Sequence, residues 1–473
     1  MSLTVEKIGG TSMSRLDELV QSLFIGDRAK TDLYGRVFVV SAFGGITDLL
    51  LEHKKTGKAG VYALYTSTEG QDWNAALQQV ERAMCDEHDH LLSHPSDLQE
   101  AEAFVRERIN GARNCLSDLE RLCSYGHFRL ADHLLKIREL LSGLGEAHSA
   151  LVAVLLLQRA GVNATLVDLT GWRDQTDFSL EDRLKTAMDG LDAANEMPIV
   201  TGYAQCREGL MREFDRGYSE VTFSRLAALL GADEAIIHKE FHLSSADPKL
   251  VGADKVRKLG RTNYDVADQL ANMGMEAIHP KAARVLRQAQ VPLRVTNAFD
   301  QQDPGTLIDD QPTQSPAVEI VTGLDIIALE MFEQDMVGVK GYDATVLDVL
   351  TRYNVRIVSK VSNANTITHY VDAPAKVVRK VETDLSALYP SAKVSSRPMS
   401  IVSVIGRDMQ GLSVLSRGLQ AIAAGGMEAI GATQGPRNVD VQFILERKTL
   451  KPVIVALHNA FVSPAAIPEL RVA

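Results

Sequence analysis

The chain has 473 residues, a formal net charge of −11 and a pI near 5.6, and this acidic balance argues against a nucleic-acid-binding surface, which is typically basic. The length allows about two to four domains. No apolar run looks long enough to cross a bilayer, and the start of the chain lacks a signal-peptide pattern, so no membrane partner is predicted. The four cysteines form no Cys-x-x-Cys pair, which indicates reduced thiols and a cytoplasmic protein.

The first predicted strand runs into the sequence Lys7-Ile8-Gly9-Gly10-Thr11-Ser12. Adjacent glycines let backbone N–H groups approach a ligand, and a helix that begins at Thr11 or Ser12 would point its positive end at the same place. Together with the Lys7 charge, this pattern predicts an anion site, with phosphate as the usual anion. On spacing alone, a plain strand–turn–helix corner fits as well, because short glycine motifs are weak signals.

A second strand and glycine turn follow at 36–47, and helical periodicity then extends from about 71 to 160. The segment 140–148 breaks that period and predicts a helix start, which would place Glu146 in a first turn. His88, His90 and His94 lie in an acidic stretch. Polar helix faces often carry unpaired histidines, so no metal site is predicted.

Strands alternate with helices up to about residue 310, which predicts an α/β domain built on a parallel sheet. Strands are predicted at 164–169, 197–203, 235–237 and 291–295, with helices at 222–230 and 282–290. Arg216 precedes the first of these helices at a glycine turn, where a guanidinium suits a bidentate grip on a carboxylate or phosphate.

Residues 309–316 are rich in Asp, Gln and Pro and are predicted to form the main linker. Beyond them, the order strand, helix, strand occurs twice, at 326–359 and again at 400–446. This repeat predicts two small β-α-β-β units of the ferredoxin-like class. Such units commonly bind small molecules or pair with copies of themselves.

Six motifs in this order resemble those of the aspartate kinases (aspartokinases), which are members of the amino-acid-kinase superfamily with tandem ACT-type domains. The resemblance covers nearly the whole chain. It implies a three-layer, carbamate-kinase-like α/β catalytic domain at 1–310. It also implies tandem ACT-type regulatory units at 317–473, the first (about 317–396) completed by the C-terminal end and the second at about 397–460. The motifs are Lys7 to Ser12, Ser41 to Thr47, Leu144 to Glu146, Asp247 to Lys249, Ile278 to Lys281, and Pro304 to Ile308.

The resemblance implies transfer of the γ-phosphoryl group of Mg-ATP to the side-chain carboxylate of L-aspartate, which gives 4-phospho-L-aspartate. That carboxylate is already a nucleophile, so catalysis depends on positioning and charge neutralisation. By resemblance, Lys7 and Arg216 are catalytic, Glu146 pairs with the substrate ammonium, and Arg216 also holds the α-carboxylate. The other implied contacts are Ser41, Thr47 and Ser219 for aspartate, and Gly9, Gly10, Ser12, Lys239, Asp247 and Lys249 for ATP. A homodimer or higher homo-oligomer, and an amino-acid effector at the tail, are the further partners implied.

Several positions depart from the family pattern. Tyr218 and Glu220 replace a glycine and an aspartate, and Glu276 replaces a lysine. The tail segment 434–438 is also altered, which puts feedback by lysine or threonine in doubt. This divergent pattern is similar to aspartokinases associated with ectoine biosynthesis. Two alternatives stay open: a degenerate kinase kept as a regulatory or assembly module, and another acid kinase such as glutamate 5-kinase.

Overall fold

The chain divides into two compact units. The structure is a computed structural model, and it describes residues 2–29, 32–54, 56–67, 72–214, 217–275, 277–311 and 316–462. The first unit comprises 1–242 with 278–309, and the second comprises 243–277 with 310–473. The predicted boundary near 310 differs from this division, because 243–277 packs with the C-terminal residues. The Val321 N–H donates to the Ser245 carbonyl at 2.8 Å, and Ala246 and Val251 belong to a C-terminal core cluster.

The secondary structure alternates as the sequence predicts through the first unit and then becomes a strand-rich repeat. The strands are β1 (Thr4–Ile8), β2 (Arg36–Val40), β3 (Ala164–Val167), β4 (Met197–Thr201), β5 (Glu234–Lys239), β6 (Arg261–Asn263), β7 (Leu293–Asn297), β8 (Thr306–Asp309), β9 (Ala317–Phe332), β10 (Arg356–Ser362), β11 (Thr366–Asp372), β12 (Lys393–Arg407), β13 (Gly431–Gln434) and β14 (Asp440–Leu445). The helices are α1 (Gly10–Met13), α2 (Leu16–Leu19), α3 (Ile46–Leu50), α4 (Val61–Tyr65), α5 (Trp73–Leu91), α6 (Pro95–Cys123), α7 (Leu134–Arg159), α8 (Leu180–Met188), α9 (Leu210–Phe214), α10 (Tyr218–Leu230), α11 (Pro248–Val251), α12 (Tyr264–Asn272), α13 (Pro280–Gln288), α14 (Tyr342–Arg352), α15 (Ala375–Leu388), α16 (Val414–Ala424) and α17 (Leu450–Phe461).

The sheet of the first unit is parallel except at one edge. Its strands lie in the order β3-β4-β2-β1-β5-β7-β8, and the β7–β8 pair is antiparallel. Every residue of β2 and β4 is buried, so these strands are covered on both faces. This is the three-layer α/β arrangement that the sequence predicted, and it brings the carboxyl ends of β1, β2, β4 and β5 to one edge.

Helix α7 is continuous from Leu134 to Arg159, so the predicted break at 140–148 is wrong, and so is the first-turn position of Glu146. The local glycines permit close packing instead of ending the helix. A Cβ placed at Gly145 would lie 2.9 Å from the Ala42 Cβ and 3.0 Å from Ile46 Cγ2. The period was broken because the helix is buried on nearly all sides and therefore shows no polar face.

Helix α7 also corrects the expectation about apolar length. It is long and apolar enough to cross a membrane by length and composition alone, but 89% of its most apolar 18-residue window is buried inside the protein. That burial is typical of the core helix of a globular domain.

The second unit contains a six-stranded antiparallel sheet in the order β10-β11-β9-β12-β14-β13. The long strands β9 and β12 pair along most of their lengths and pass through both halves of the repeat. One core cluster joins the C-terminal half of β9 to α14, β11 and α15. The other joins the N-terminal half of β9 to β12, α16, β14 and α17. The exchange therefore runs opposite to the expected one: the second repeat is completed by the start of β9, and the first is not completed by the C-terminal end.

Candidate active site

The predicted site residues of the first unit gather where the parallel strands end. Ile8 lies opposite Val40 of β2 and His238 of β5. The Ser41 N–H donates to the Ile8 carbonyl at 3.1 Å, and the Gly202 N–H donates to the Val40 carbonyl at 2.9 Å. These contacts fix the loops after β1, β2 and β4 side by side.

Lys7 lies near the end of β1, is largely buried, and faces a carboxylate on α10. Its Nζ is 3.7 Å from Glu220 Oε1, and Glu220 Oε2 accepts the His279 N–H at 2.5 Å. Burial raises the pKa of Glu220, but the charges of Lys7 and Lys239 and the His279 N–H outweigh it and hold that pKa below its ordinary value. Glu220 is therefore an ionised partner of two lysines at the strand ends.

Glu146 lies in the middle of α7 and is only 2% exposed. Within the described residues its Oε2 has no hydrogen-bond partner. Burial raises the pKa of Glu146 to about 8. The Tyr203 N–H, the Lys7 charge and the Ala42 N–H lower this pKa, but burial outweighs them. A buried carboxylate with an unsatisfied oxygen suits an incoming cation.

The neighbours of Glu146 include the predicted substrate-side hydroxyls. A Cβ at Gly202 would lie 3.0 Å from Glu146 Oε2 and 2.5 Å from the Ser219 Cβ. The Ser41 Oγ donates to Ser219 Oγ at 3.3 Å. Ser149, one turn beyond Glu146, donates to the Ser41 carbonyl at 2.8 Å and so ties the β2 loop to α7. Glu146, Ser41 and Ser219 therefore form one cluster.

Thr47 occupies the first turn of α3 and is half-buried. This position continues the β2 loop that begins at Ser41.

The glycine loop is tightly packed. A Cβ at Gly10 would lie 2.7 Å from the Ala42 carbonyl oxygen, which explains why glycine is needed there, whereas Gly9 would meet only the Lys7 Nζ at 3.8 Å. Ser12 is buried, and its hydroxyl donates to Glu240 Oε1 at 2.6 Å. The Ser12 hydroxyl is already engaged, so its contribution to an anion site would come from its backbone N–H.

A buried polar network supports the strand that carries Lys7. Arg36 of β2 holds Glu6 of β1 with two hydrogen bonds of 2.7 and 3.0 Å. His238 of β5 contacts Glu6 at 2.7 Å and Thr296 of β7 at 2.7 Å. Burial raises the pKa of Glu6, but Arg36 and His238 hold it well below its ordinary value. The four strands β2, β1, β5 and β7 are thus joined beside the Lys7 position.

The remaining predicted residues lie elsewhere or are not described. Arg216 and Glu276 fall outside the described residues. Asp247 and Lys249 belong to the second unit, where the exposed Asp247 caps α11 through the Lys249 N–H at 2.8 Å. Lys239, at the end of β5, lies close enough to Glu220 to lower its pKa.

Tyr218 is buried, and its ring lies 5.5 Å from that of Tyr203. The sequence treated Glu220 as a departure and missed its contact with Lys7. Its position in the first turn of α10, where a carboxylate is favoured, was the available signal. Ser149 carried no signal, because a serine inside an apolar helix has many ordinary explanations.

Comparisons with known proteins identify the family of the chain. The model of the amino acid kinase family matches residues 2–297. The chain is 47% identical over 464 residues to aspartate kinase Ask_Ect of Stutzerimonas stutzeri (strain A1501), covering 98% of each protein. It is 24% identical to aspartokinase 2, chloroplastic, of Arabidopsis thaliana, covering 97% of this chain and 84% of the relative.

Solved structures agree in fold. E. coli aspartokinase III in complex with lysine and aspartate (T-state) superposes with a TM-score of 0.74 at 18% identity, covering 98% of this chain and 100% of that one. Clostridium acetobutylicum aspartate kinase gives 0.69 at 16% identity, covering 97% and 100%. The match to Ask_Ect confirms the resemblance to the ectoine-associated type. The chain belongs to the amino acid kinase family and, within it, to the aspartate kinases.

Proposed function

We propose that this chain transfers the γ-phosphoryl group of ATP to the side-chain carboxylate of L-aspartate and forms 4-phospho-L-aspartate. The observation that carries the proposal is Glu146, a buried carboxylate whose Oε2 lacks a partner among the described residues and which lies beside Ser219 and Lys7. An α-amino acid brings the ammonium group that such a carboxylate needs. Membership of the aspartate kinases supplies the substrate.

Recognition of aspartate follows from opposite charges held in fixed positions. Glu146 receives the ammonium group, and Ser41, Thr47 and Ser219 donate hydrogen bonds to the substrate. Arg216 is assigned to the α-carboxylate by the family pattern alone, because it lies outside the described residues. A guanidinium suits that group because it can donate two parallel hydrogen bonds.

Phosphoryl transfer then needs charge neutralisation more than proton transfer, because the attacking carboxylate is already ionised. Lys7 stabilises the negative charge that develops on the transferring group. Glu220, fixed by the His279 N–H, orients Lys7. Bringing the aspartate carboxylate and the γ-phosphoryl group together is costly in water because both are negative, and the lysines at the strand ends offset this cost.

The nucleotide is proposed to lie against the glycine loop, where backbone groups of Gly9, Gly10 and Ser12 would contact its phosphates. Lys239 adds a cation at the end of β5, and Asp247 and Lys249 are assigned by resemblance. Mg²⁺ would arrive as part of Mg-ATP, and its charge would offset that of the phosphates. We assign no protein ligand to it.

The tail is proposed to have a weak response to lysine or threonine. The altered segment 434–438 is engaged within the chain, since Arg437 of this segment forms an ion pair with Asp265 of α12. We further propose a cytoplasmic homodimer that supplies an aspartate-derived pathway, either amino-acid or ectoine synthesis.

The test is ATP-dependent formation of an acyl phosphate, trapped with hydroxylamine, on L-aspartate, L-glutamate and N-acetylglutamate, with and without lysine and threonine. Activity on aspartate alone supports the proposal. Activity on glutamate alone would establish a different acid kinase. A folded protein with no activity on any acid would indicate the regulatory or assembly module.

A further inference from the structure

A histidine and two aspartates meet beside the ends of two strands, apart from the residues assigned above. Strands β5 and β7 are parallel neighbours, with Lys239 opposite Asn297, so the segments that leave them begin side by side. His242 follows the end of β5, and Asp300 and Asp303 lie in the turn after β7. Ligand-type atoms of the three side chains all lie within 4.8 Å of one another.

The turn that carries the two aspartates is held by its own hydrogen bonds. The Ala298 N–H donates to the Lys239 carbonyl at 2.7 Å and joins the turn to β5. The Gly305 N–H donates to Asp303 Oδ1 at 2.9 Å. The carboxylates are therefore presented to His242 by a folded loop.

Each ring nitrogen of His242 faces a carboxylate. Its Nε2 lies 3.0 Å from Asp300 Oδ2, and its Nδ1 lies 3.7 Å from Asp303 Oδ1. A neutral imidazole has one N–H, which can serve only one carboxylate. If Nε2 donates to Asp300, the lone pair of Nδ1 faces the Asp303 carboxylate. Nδ1 is also buried and has no hydrogen-bond partner within the described residues. A cation placed between Nδ1 and Asp303 would contact both atoms.

We propose that this cluster, His242 with Asp300 and Asp303, binds one divalent first-row transition cation. His242 Nδ1 and Asp303 are the protein ligands, and water completes the coordination. Asp300 accepts the Nε2–H and so fixes the tautomer and the ring orientation, as carboxylates beside metal-bound histidines usually do. Ligand atoms on one such cation lie roughly 3 to 4 Å apart, which matches the 3.7 Å spacing.

The ligand chemistry separates this ion from the Mg²⁺ that accompanies ATP. An imidazole nitrogen favours Zn²⁺, Mn²⁺ or a similar ion, whereas Mg²⁺ prefers oxygen and retains its waters. The bound ion would neutralise the carboxylates and join the turn after β7 to the end of β5. The site is therefore testable without nucleotide and without an activity assay.

The test uses the full chain, freed of metal with a chelator, desalted, and titrated with Zn²⁺ and with Mn²⁺ in the absence of ATP. Calorimetry should give one equivalent for the wild type, and the thermal midpoint should rise with added metal. His242→Gln should lose that equivalent. Asp300→Asn should bind roughly 10- to 100-fold more weakly, because it keeps the shape but loses the orienting charge.

The matched control is His53→Gln, which removes a more exposed histidine that faces Asp48 at 3.7 Å and should leave binding unchanged. Equal binding by the wild type and His242→Gln would overturn the proposal, since the ion would then bind elsewhere. No binding by the wild type at micromolar metal would also overturn it.

Discussion

Replacing Glu146 with Gln tests the aspartate site most directly, because the change keeps the side-chain shape and removes the charge. With its pKa near 8, Glu146 is about one-tenth ionised at pH 7 in the free protein. The wild-type kcat/KM for aspartate should therefore rise about tenfold per pH unit below pH 8. Glu146→Gln should lose this slope and raise KM for aspartate roughly 10²- to 10³-fold, as expected for the loss of a buried ion pair worth about 3–4 kcal/mol.

The same substitution should relieve a cost in stability. A folded-state pKa above the ordinary value of 4.5 means that the folded protein binds more protons than the unfolded chain between about pH 4.5 and pH 8. Stability therefore falls as the pH rises through that window. At about 1.36 kcal/mol per pKa unit, the full cost is at most about 5 kcal/mol. The unfolding entropy is about 2.1 cal/mol/K per residue, and the chain has 473 residues. If they unfold together, this cost lowers the thermal midpoint by about 5 °C.

The assay compares thermal midpoints at pH 5 and pH 9, together with steady-state kinetics between pH 6 and pH 8, for the wild type and Glu146→Gln. Glu139→Gln is the matched control, since Glu139 is a second buried carboxylate on α7 whose pKa burial also raises. It should share part of the stability effect and leave KM for aspartate unchanged. Two results together would refute this reasoning. The wild-type kcat/KM would be independent of pH between pH 6 and pH 8, and the thermal midpoints of the wild type and Glu146→Gln would fall equally from pH 5 to pH 9. Glu146 would then be neither desolvated nor the partner of the substrate ammonium.

Three further substitutions test the rest of the site. Lys7→Ala should lower kcat about 10²- to 10³-fold with little change in KM, because Lys7 acts on charge that develops during transfer; an unchanged kcat would remove it from the mechanism. Glu220→Gln should lower kcat by a similar factor at every pH from 6 to 9, since its lowered pKa keeps the wild-type group ionised throughout; a new slope in that range would contradict this. Gly145→Ala should destabilise the protein by about 1–3 kcal/mol and raise KM for aspartate, because the added methyl group would lie 2.9 Å from the Ala42 Cβ. Denaturant unfolding should show this loss of stability. A variant as stable as the wild type would disprove the packing argument.

Much of the fold was predictable because its signals are local. The strands β2 and β4 are continuous apolar runs, and α5, α6 and α8 between them have amphipathic periods and side-chain N-caps. The error at α7 arose because Gly143 and Gly145 are usually read as breaks, whereas here they lie against other elements. The exchange between the two tail repeats was also missed. Strands β9 and β12 each extend through both repeats. Only the tertiary pairing of the strands shows which half of each strand packs into which core cluster.

The site was predictable in its residue types and less so in its contacts. Lys7 and Glu146 were identified from motif order, but the pairing of Lys7 with Glu220 spans more than two hundred residues and has no local signature. The engagement of Ser12 by Glu240 was invisible for the same reason. His238 was assigned no role from the sequence, yet it joins a buried hydrogen-bond network beside the strand that carries Lys7.

The pKa values of two buried carboxylates in this site are shifted in opposite directions, and this contrast supports the different roles proposed for them. Glu220 lies among cations that the protein itself supplies, so it stays ionised and serves to place Lys7. Glu146 is equally desolvated, but an oxygen of its carboxylate is unsatisfied within the described residues, so it holds a proton near neutral pH. A group kept in that state is costly to the fold and is retained where function needs it. We therefore propose that its charge is completed by a cation that arrives with the substrate, and an α-ammonium group is the cation that every amino acid provides.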